Sequence, residues 1–148
     1  MQTETITQTN IKQAVPFLWT TNMEASLRFY VDGLGFSMVE KWMPEGKIEW
    51  CLLKLGEAAI MLQEYREGLK PEGILGLGVS ICFICADALG YYREVTARKI
   101  LASEPFVGNN FWIFEVADPD GYRLNFESPT DVPEETRYSE WKQKTPNA

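Results

Sequence analysis

Apolar and polar positions follow different periods along the chain, and the changes of period mark the predicted elements. Residues 11–20 (IKQAVPFLWT) are mostly apolar and predict a strand, in which Pro16 favours a sheet edge or a bulge. Residues 21–24 have the Ser/Thr-x-x-Glu form of a capping box, and apolar residues then recur at helical spacing. We therefore predict a helix that ends at Gly33 and Gly35. Its buried stripe consists of Met23, Leu27, Tyr30, Val31 and Leu34.

Three apolar runs after this helix predict strands at about 36–43, 47–55 and 57–64. The last two strands are joined by Leu-Gly-Glu, a signal for a tight hairpin. Residues 65–76 combine glycine, proline and charged residues, and this composition indicates a linker.

The same order of elements then begins again. Residues 77–86 predict a strand, and Asp87 is a good N-cap for a second helix, whose buried stripe consists of Ala88, Tyr92 and Val95. Three more strands are predicted near 102–106, 110–117 and 122–128. The last two are joined by Asp-Pro-Asp-Gly, a strong turn signal. The polar tail has a short helical pattern at 134–142, where Tyr138 and Trp141 would dock on the body or on a partner chain.

The two predicted halves match each other element by element. Asn22 and Asp87 open the two helices, and Met61 and Asn125 lie in the two last strands, with an offset of about 65 residues in both pairs. Such a repeat indicates one βαβββ unit used twice. One unit alone leaves a sheet face bare, so two units must join.

The predicted fold is therefore α+β, with two βαβββ modules that form a curved mixed sheet, or cup, and helices on the outside. We place a single domain at 11–128, with module 1 at about 11–65 and module 2 at about 77–128, followed by a C-terminal tail at 129–148.

Composition narrows the classes of function. The chain has 148 residues, of which 45% are hydrophobic and 24% charged, as in an ordinary globular protein. Its net charge of −7 argues against nucleic-acid binding and is compatible with a cationic ligand, although acidity also serves solubility alone. No apolar run reaches the roughly 18–20 residues of a membrane span. The N-terminal residues lack the apolar centre of a secretory signal, so we expect a cytoplasmic protein.

The chain contains no histidine, which removes the commonest general base and metal ligand. Its three cysteines, Cys51, Cys82 and Cys85, are expected to be reduced. Cys82 and Cys85 are three residues apart in a predicted strand and would point to opposite faces. We therefore interpret them as core residues and not as a metal or disulfide pair.

Two stretches resemble the vicinal oxygen chelate superfamily, the group of glyoxalases, bleomycin-resistance proteins and extradiol dioxygenases. They are SLRFY at 26–30 with LGF at 34–36, and DPDGYRLNFE at 118–127, in the first helix and the last hairpin. The resemblance implies the cup described above and a homodimer.

In the metal enzymes that it resembles, four positions facing into the cup hold the metal. Carried over to this chain, they fall on Val15, Met61, Ser80 and Asn125. None is a good ligand for zinc, nickel, iron or manganese, which are bound by imidazole, thiolate or carboxylate. A register slip of two residues brings in Gln63, Cys82 and Glu127, which do not form a coherent set either. No metal and no cofactor are expected, and the chain is closest in character to the metal-free bleomycin-resistance-like branch.

Strand alternation extends these four positions to a predicted ligand-binding cup. The cup is lined by Val15, Phe17, Trp19, Met61, Gln63, Ser80, Cys82, Arg123, Asn125 and Glu127. Aromatic walls with a few polar groups are typical of a site for a small aromatic or cationic molecule. Alternatively, Phe17 and Trp19 simply fill the sheet core, and Trp50, Trp112 and Phe114 are interpreted as core or dimer contacts.

The first functional hypothesis is a metal-independent small-molecule binding protein, such as a drug-binding protein that confers antibiotic resistance. The alternative is a lyase, isomerase or dioxygenase-like enzyme of the same superfamily with non-standard active-site residues, for which Glu127 is a weak candidate acid or base. A structural or regulatory module is the third hypothesis. The expected partners are the small molecule and a second copy of the chain, with no nucleic acid and no membrane.

Overall fold

The computed structural model describes residues 9–145, which form two four-stranded sheets with helices packed on one side. The elements in chain order are β1 (Phe17–Thr20), α1 (Met23–Leu27), β2 (Ser37–Trp42), β3 (Trp50–Leu55), β4 (Ala58–Glu64), β5 (Ser80–Ile84), α2 (Ala88–Ala97), β6 (Phe106–Gly108), β7 (Phe111–Ala117), β8 (Arg123–Pro129) and α3 (Tyr138–Lys144). A π-helical segment, Arg28–Gly33, continues α1 without a break.

The two sheets have the same topology. Sheet 1 has the order β1-β4-β3-β2, and sheet 2 has the order β5-β8-β7-β6. In each sheet the first and last strands of the module are parallel neighbours, and the remaining pairs are antiparallel. The predicted α+β fold of two βαβββ modules is confirmed, and the described residues of the linker, 65–76, contain no helix or strand.

The first helix begins one residue later than a capping box at Thr21 would require. Asn22 is the N-cap, and its side chain accepts a 3.0 Å hydrogen bond from the backbone N–H of Ala25. Glu24 does not return to the cap but forms a 3.2 Å ion pair with Arg28. The predicted stripe is confirmed, since Met23, Tyr30 and Leu34 are buried and Leu27 and Val31 pack against the core.

Most predicted strands are a few residues shorter or shifted in the structure, and two differ for an identifiable reason. The first is confined to Phe17–Thr20 at the edge of sheet 1, because Pro16 lacks the N–H that would extend the ladder. The strand predicted at 102–106 lies instead at Phe106–Gly108. The reason is a hairpin turn at Asn109 and Asn110, whose φ values are 52° and 67°, a left-handed geometry that asparagine tolerates.

The core lies between each sheet and its helix. The fully buried side chains on the helix-bearing sides of the two sheets include Leu53, Ile60, Leu62, Val107, Phe114, Val116 and Leu124. An aromatic chain connects the halves: Phe36 contacts Phe83 with ring centroids 6.1 Å apart, and Phe83 stacks on Phe126 at 4.9 Å. The same side carries polar links, such as the 2.6 Å hydrogen bond from the Tyr91 hydroxyl to the Leu34 carbonyl.

The tail docks on the body of its own chain. Tyr138 at the start of α3 is buried, and Trp141 packs on Trp112 with ring centroids 5.4 Å apart. The predicted short helix at 134–142 is therefore present, shifted towards the C-terminus. No helix within residues 9–145 combines the length and the apolar character that a bilayer crossing needs.

Candidate functional site

Each sheet has an open face, defined here as the face opposite its helix. On sheet 1, Phe17 pairs with Met61 and Trp19 pairs with Gln63 in the parallel ladder. Directly paired residues share a face, so these four predicted residues lie side by side. Val15 precedes β1 and is half-buried. The interpretation of Phe17 and Trp19 as core fillers is wrong for this chain, since their exposed fractions are 45% and 40%.

Aromatic rings dominate the open face of sheet 1. Trp19 stacks on Tyr65 with centroids 5.0 Å apart and planes at 10°, and meets the edge of Phe17 at 5.5 Å. Trp50 pairs with Gln63 and with Trp42, which is 47% exposed. We call Phe17, Trp19, Trp42, Trp50 and Tyr65 the aromatic face. Alternation from Val15 and Met61 does not predict Trp42 or Tyr65 at this face. Trp50, for which the sequence predicts a core or dimer contact, is half-buried at the same face.

The open face of sheet 2 is polar. Ser80 pairs with Arg123, Cys82 pairs with Asn125, and Glu127 lies one step further along β8. The Asn125 amide N–H donates to the Cys82 sulfur at 3.9 Å, while its Oδ1 is buried and has no hydrogen-bond partner among the described residues. This unpaired acceptor is suited to a ligand N–H or O–H, because a buried carbonyl oxygen without a partner is unfavourable.

Neither of the two grooves found among residues 9–145 has the two open faces as its walls. A groove of about 730 Å³ contains Cys82 but none of the other nine predicted cup residues. A second one, of about 490 Å³ at 44–49 and 64–67, contains none of the ten. Phe83 contacts Phe36 of the first half, and Cys82, its neighbour in the strand, points to the opposite side. The open face of sheet 2 is thus directed away from this contact between the halves.

The residues at the expected metal positions do not fit a transition-metal ion. Met61 and Asn125 lie on the two open faces, and they offer a thioether and an amide. Ser80 offers a neutral hydroxyl, and Val15 offers no donor atom. Within residues 9–145 no three or more Cys, Asp or Glu side chains are grouped closely enough to hold a metal.

The cysteines differ in environment. Cys51 is the fully buried one, and burial raises the pKa of its thiol to about 11. Cys82 is exposed and Cys85 half-buried, so the interpretation of this pair as core residues is wrong for Cys82. Cys82 lies in the edge strand β5 and Cys85 directly follows it, so the predicted opposite orientation of the pair within one strand stays untested; all three thiols are free.

Comparison with known structures identifies the same fold elsewhere. A bleomycin-binding protein complexed with bleomycin is 23% identical, with a TM-score of 0.61 over 80% of this chain and 98% of its own. A bleomycin resistance determinant encoded on the transposon TN5 is 22% identical, with a TM-score of 0.64 over 82% and 100%. Lactoylglutathione lyase from Agrobacterium tumefaciens is 19% identical, with a TM-score of 0.60 over 81% and 96%. At these identities the likeness establishes the fold alone.

Sequence comparison decides the family. None of the curated proteins is significantly similar in sequence. The profile of the Glyoxalase/Bleomycin resistance protein/Dioxygenase superfamily matches residues 10–126, from the segment before β1 to the middle of β8, including both connecting helices. The chain therefore belongs to the glyoxalase/bleomycin resistance protein/dioxygenase superfamily.

Proposed function

We propose that this chain is a metal-independent small-molecule binding protein of the bleomycin-resistance type. The observation that carries the proposal is the stack of Trp19, which is 40% exposed, on the half-buried Tyr65. Their ring centroids are 5.0 Å apart, on a face where metal enzymes of the superfamily would need ligands. Exposed aromatic side chains bring a large contact area at low entropic cost, and they bind flat organic molecules by stacking.

The ligand class that this surface favours is a small aromatic or cationic molecule. The ring face of Trp19 attracts cations as well as aromatic groups, whereas the Trp42 ring already has the Arg66 guanidinium 6.0 Å from its centroid. On the other open face, Glu115 and Glu127 are half-buried carboxylates on either side of Asn125. A cation placed between such surfaces would be favoured by both, and the net charge of −7 acts in the same direction.

A homodimer is the second part of the proposal. Each open face is half of the predicted cup, and the face of sheet 2 is directed away from the aromatic contact that joins it to the first half. A second copy would place its sheet 2 over the aromatic face of the first and enclose a ligand from both sides. The ten predicted residues would then line two equivalent sites. Cytoplasmic localisation and a role in antibiotic resistance are extensions of the same proposal.

Ligand titration of metal-free protein tests the proposal. Metal-free bleomycin and ethidium, a planar aromatic cation, are titrated by calorimetry and by thermal shift. Ligand at a hundredfold excess over its Kd should stabilise the protein by about 2.7 kcal/mol. Trp19→Ala should weaken binding about tenfold, because it removes the stacking surface. Trp141→Phe, in the docked tail, is the matched control and should bind as the wild type does. A flat response to both ligands, or an unchanged affinity in Trp19→Ala, would reject the aromatic face as the site.

An enzyme of the same superfamily is the alternative. It is favoured by Glu127, a half-buried carboxylate on the same open face as the unpaired Oδ1 of Asn125. Under this alternative, turnover would depend on Glu127 and would be lost in Glu127→Gln, while ligand binding would persist. Binding without turnover in either protein would favour the first proposal.

A further inference from the structure

A groove of about 730 Å³ runs along the junction of the two halves, at the edge strand β5. One wall is the edge strand β5 with the start of α2, and the other is the β3–β4 hairpin with the segment before β1. We call it the junction groove. None of the aromatic-face residues lines it, and of the ten predicted cup residues only Cys82 does, so it is distinct from the aromatic face.

The floor of the junction groove is apolar and partly aromatic. Ile81, Phe83 and Tyr91 line it and are half-buried, so that each leaves part of its side chain accessible from the groove. Phe126 lies beneath Phe83 and is stacked on it at 4.9 Å. Leu55 and the small side chain of Ala58 form the opposite wall. Such a floor takes the hydrocarbon or aromatic body of a ligand, because its burial removes apolar area from water.

The charged side chains on the rim are all acidic. Glu57, Asp87 and Glu94 line the groove, and none of the described lining residues is lysine or arginine. The ion pairs found among residues 9–145 leave these three carboxylates out. Asp87 uses Oδ1 to cap α2, with a 3.0 Å hydrogen bond from Gly90 N–H. The nearby Arg98 guanidinium is bonded to the Gly33 carbonyl and does not line the groove.

We propose that the junction groove is a second binding site, for a small organic ammonium ion with an apolar body. The apolar floor and the acidic rim together select this chemistry. A neutral aromatic molecule would bury the same area without the electrostatic attraction, and an organic anion would be repelled by the rim. The half-buried rings of Phe83 and Tyr91 add cation–π attraction.

Calorimetry with 2-naphthylmethylammonium as the probe tests this site. The triple variant Glu57→Gln/Asp87→Asn/Glu94→Gln removes the rim charge, and asparagine at 87 keeps the helix cap. Its matched control, Asp32→Asn/Glu72→Gln/Asp131→Asn, changes the net charge equally at exposed positions outside the groove. We expect the rim variant to weaken probe binding at least about fivefold, in keeping with three exposed ion pairs. The control variant should bind as the wild type does, and neutral 2-naphthylmethanol should bind the wild type more weakly than the ammonium probe.

Two further variants distinguish probe binding in the junction groove from binding at the aromatic face and from a dimer interface in the groove. The aromatic face also accepts aromatic cations, so the rim and Ala86 variants are compared in the Trp19→Ala background as well. Trp19→Ala alone should keep the part of probe binding that depends on the rim charge; loss of all probe binding in Trp19→Ala would transfer the probe to the aromatic face and overturn the inference. Ala86→Arg, at an exposed lining residue, should abolish probe binding without changing the sedimentation of the protein. If Ala86→Arg instead dissociates a dimer, the groove is an interface between copies and the proposal is wrong. Equal affinities in the rim variant and its control would also overturn it.

Discussion

The phenol of Tyr30 donates a 2.8 Å hydrogen bond to Oδ2 of Asp118 and thereby links the helix of one half to the hairpin turn of the other. Tyr30 is fully buried, and Asp118 is 6% exposed. The second carboxylate oxygen of Asp118 accepts from the backbone N–H groups of Asp120 and Tyr122 at 2.8 and 3.0 Å. The carboxylate therefore holds its own turn and the first helix together.

Removal of this phenol should destabilise the protein. Tyr30→Phe leaves Oδ2 of Asp118 buried without its donor, so the free energy of unfolding should fall by about 1–3 kcal/mol. Urea denaturation followed by circular dichroism measures the change. Tyr92→Phe is the matched control, because Tyr92 is half-buried and its hydroxyl makes no hydrogen bond to the described residues. Equal stability of the two variants would show that the Tyr30–Asp118 link contributes nothing.

The contribution of Asp118 to the free energy of unfolding should become more favourable as the pH falls, which is opposite to the usual behaviour of a paired carboxylate. Burial raises the pKa of Asp118 above its ordinary 3.8, although the hydrogen bonds from Tyr30, Tyr122 and Asp120 act to lower it. A folded-state pKa above the unfolded value means that the folded protein binds the proton more tightly. The buried charge therefore costs stability above the raised pKa, and this cost disappears as the pH falls through it towards 3.8.

The comparison with Asp118→Asn isolates this effect from other titrating groups. The asparagine variant has no charge at any pH, so the difference in unfolding free energy, wild type minus variant, should increase when the pH is lowered from 7 to 4. Denaturant titrations of both proteins at the two pH values measure it. A difference that stays constant, or that decreases at low pH, would contradict the raised pKa.

Strand alternation predicted part of the candidate site and failed at an identifiable place. The positions of Phe17 and Trp19 follow from period-two alternation in a regular ladder. The position of Trp42 does not follow from alternation, because the register of β2 shifts between Met38 and Glu40. Simple alternation from the partly buried Met38 would place Trp42 on the helix side, and the bulge turns it to the open face.

Local sequence patterns also did not predict the long-range polar contacts. The Asp-Pro-Asp-Gly turn was predicted from its own residues, and its hydrogen bonds to the other half were not. Asp120 accepts hydrogen bonds from the Thr20 and Thr21 hydroxyls, about a hundred residues away in the chain, at 2.8 and 2.6 Å. Nothing in the local spacing indicates such partners, whereas burial of Tyr30 in the helix stripe could be predicted from periodicity alone.

Gly76 in the linker should not tolerate alanine. Its φ is +74°, and an added Cβ would lie 2.6 Å from the Tyr122 ring and 3.5 Å from the Tyr122 Cα. Gly68→Ala is the control, since its φ is +81° and nothing lies within 4 Å of the added carbon. Both variants adopt a left-handed conformation that costs about 1–2 kcal/mol. Gly76→Ala should lose roughly 1–3 kcal/mol more, because it also overpacks against the ring. Equal losses in urea denaturation would show that Tyr122 moves aside freely.

Metal analysis provides the most direct test of the site chemistry. Val15, Met61, Ser80 and Asn125 lack the imidazole, thiolate and carboxylate groups that bind transition ions, so protein purified after incubation with Zn²⁺, Ni²⁺, Fe²⁺ and Mn²⁺ should carry far less than one ion per chain. Chelator treatment should leave its melting temperature unchanged, because metal bound to the native state would raise that temperature. The exposed thiol of Cys82, paired with Asn125, could retain zinc, and Cys82→Ser is therefore measured in parallel. A stoichiometric ion that persists in Cys82→Ser and is lost together with stability on chelation would contradict the metal-independent proposal and would direct attention to the enzyme alternative.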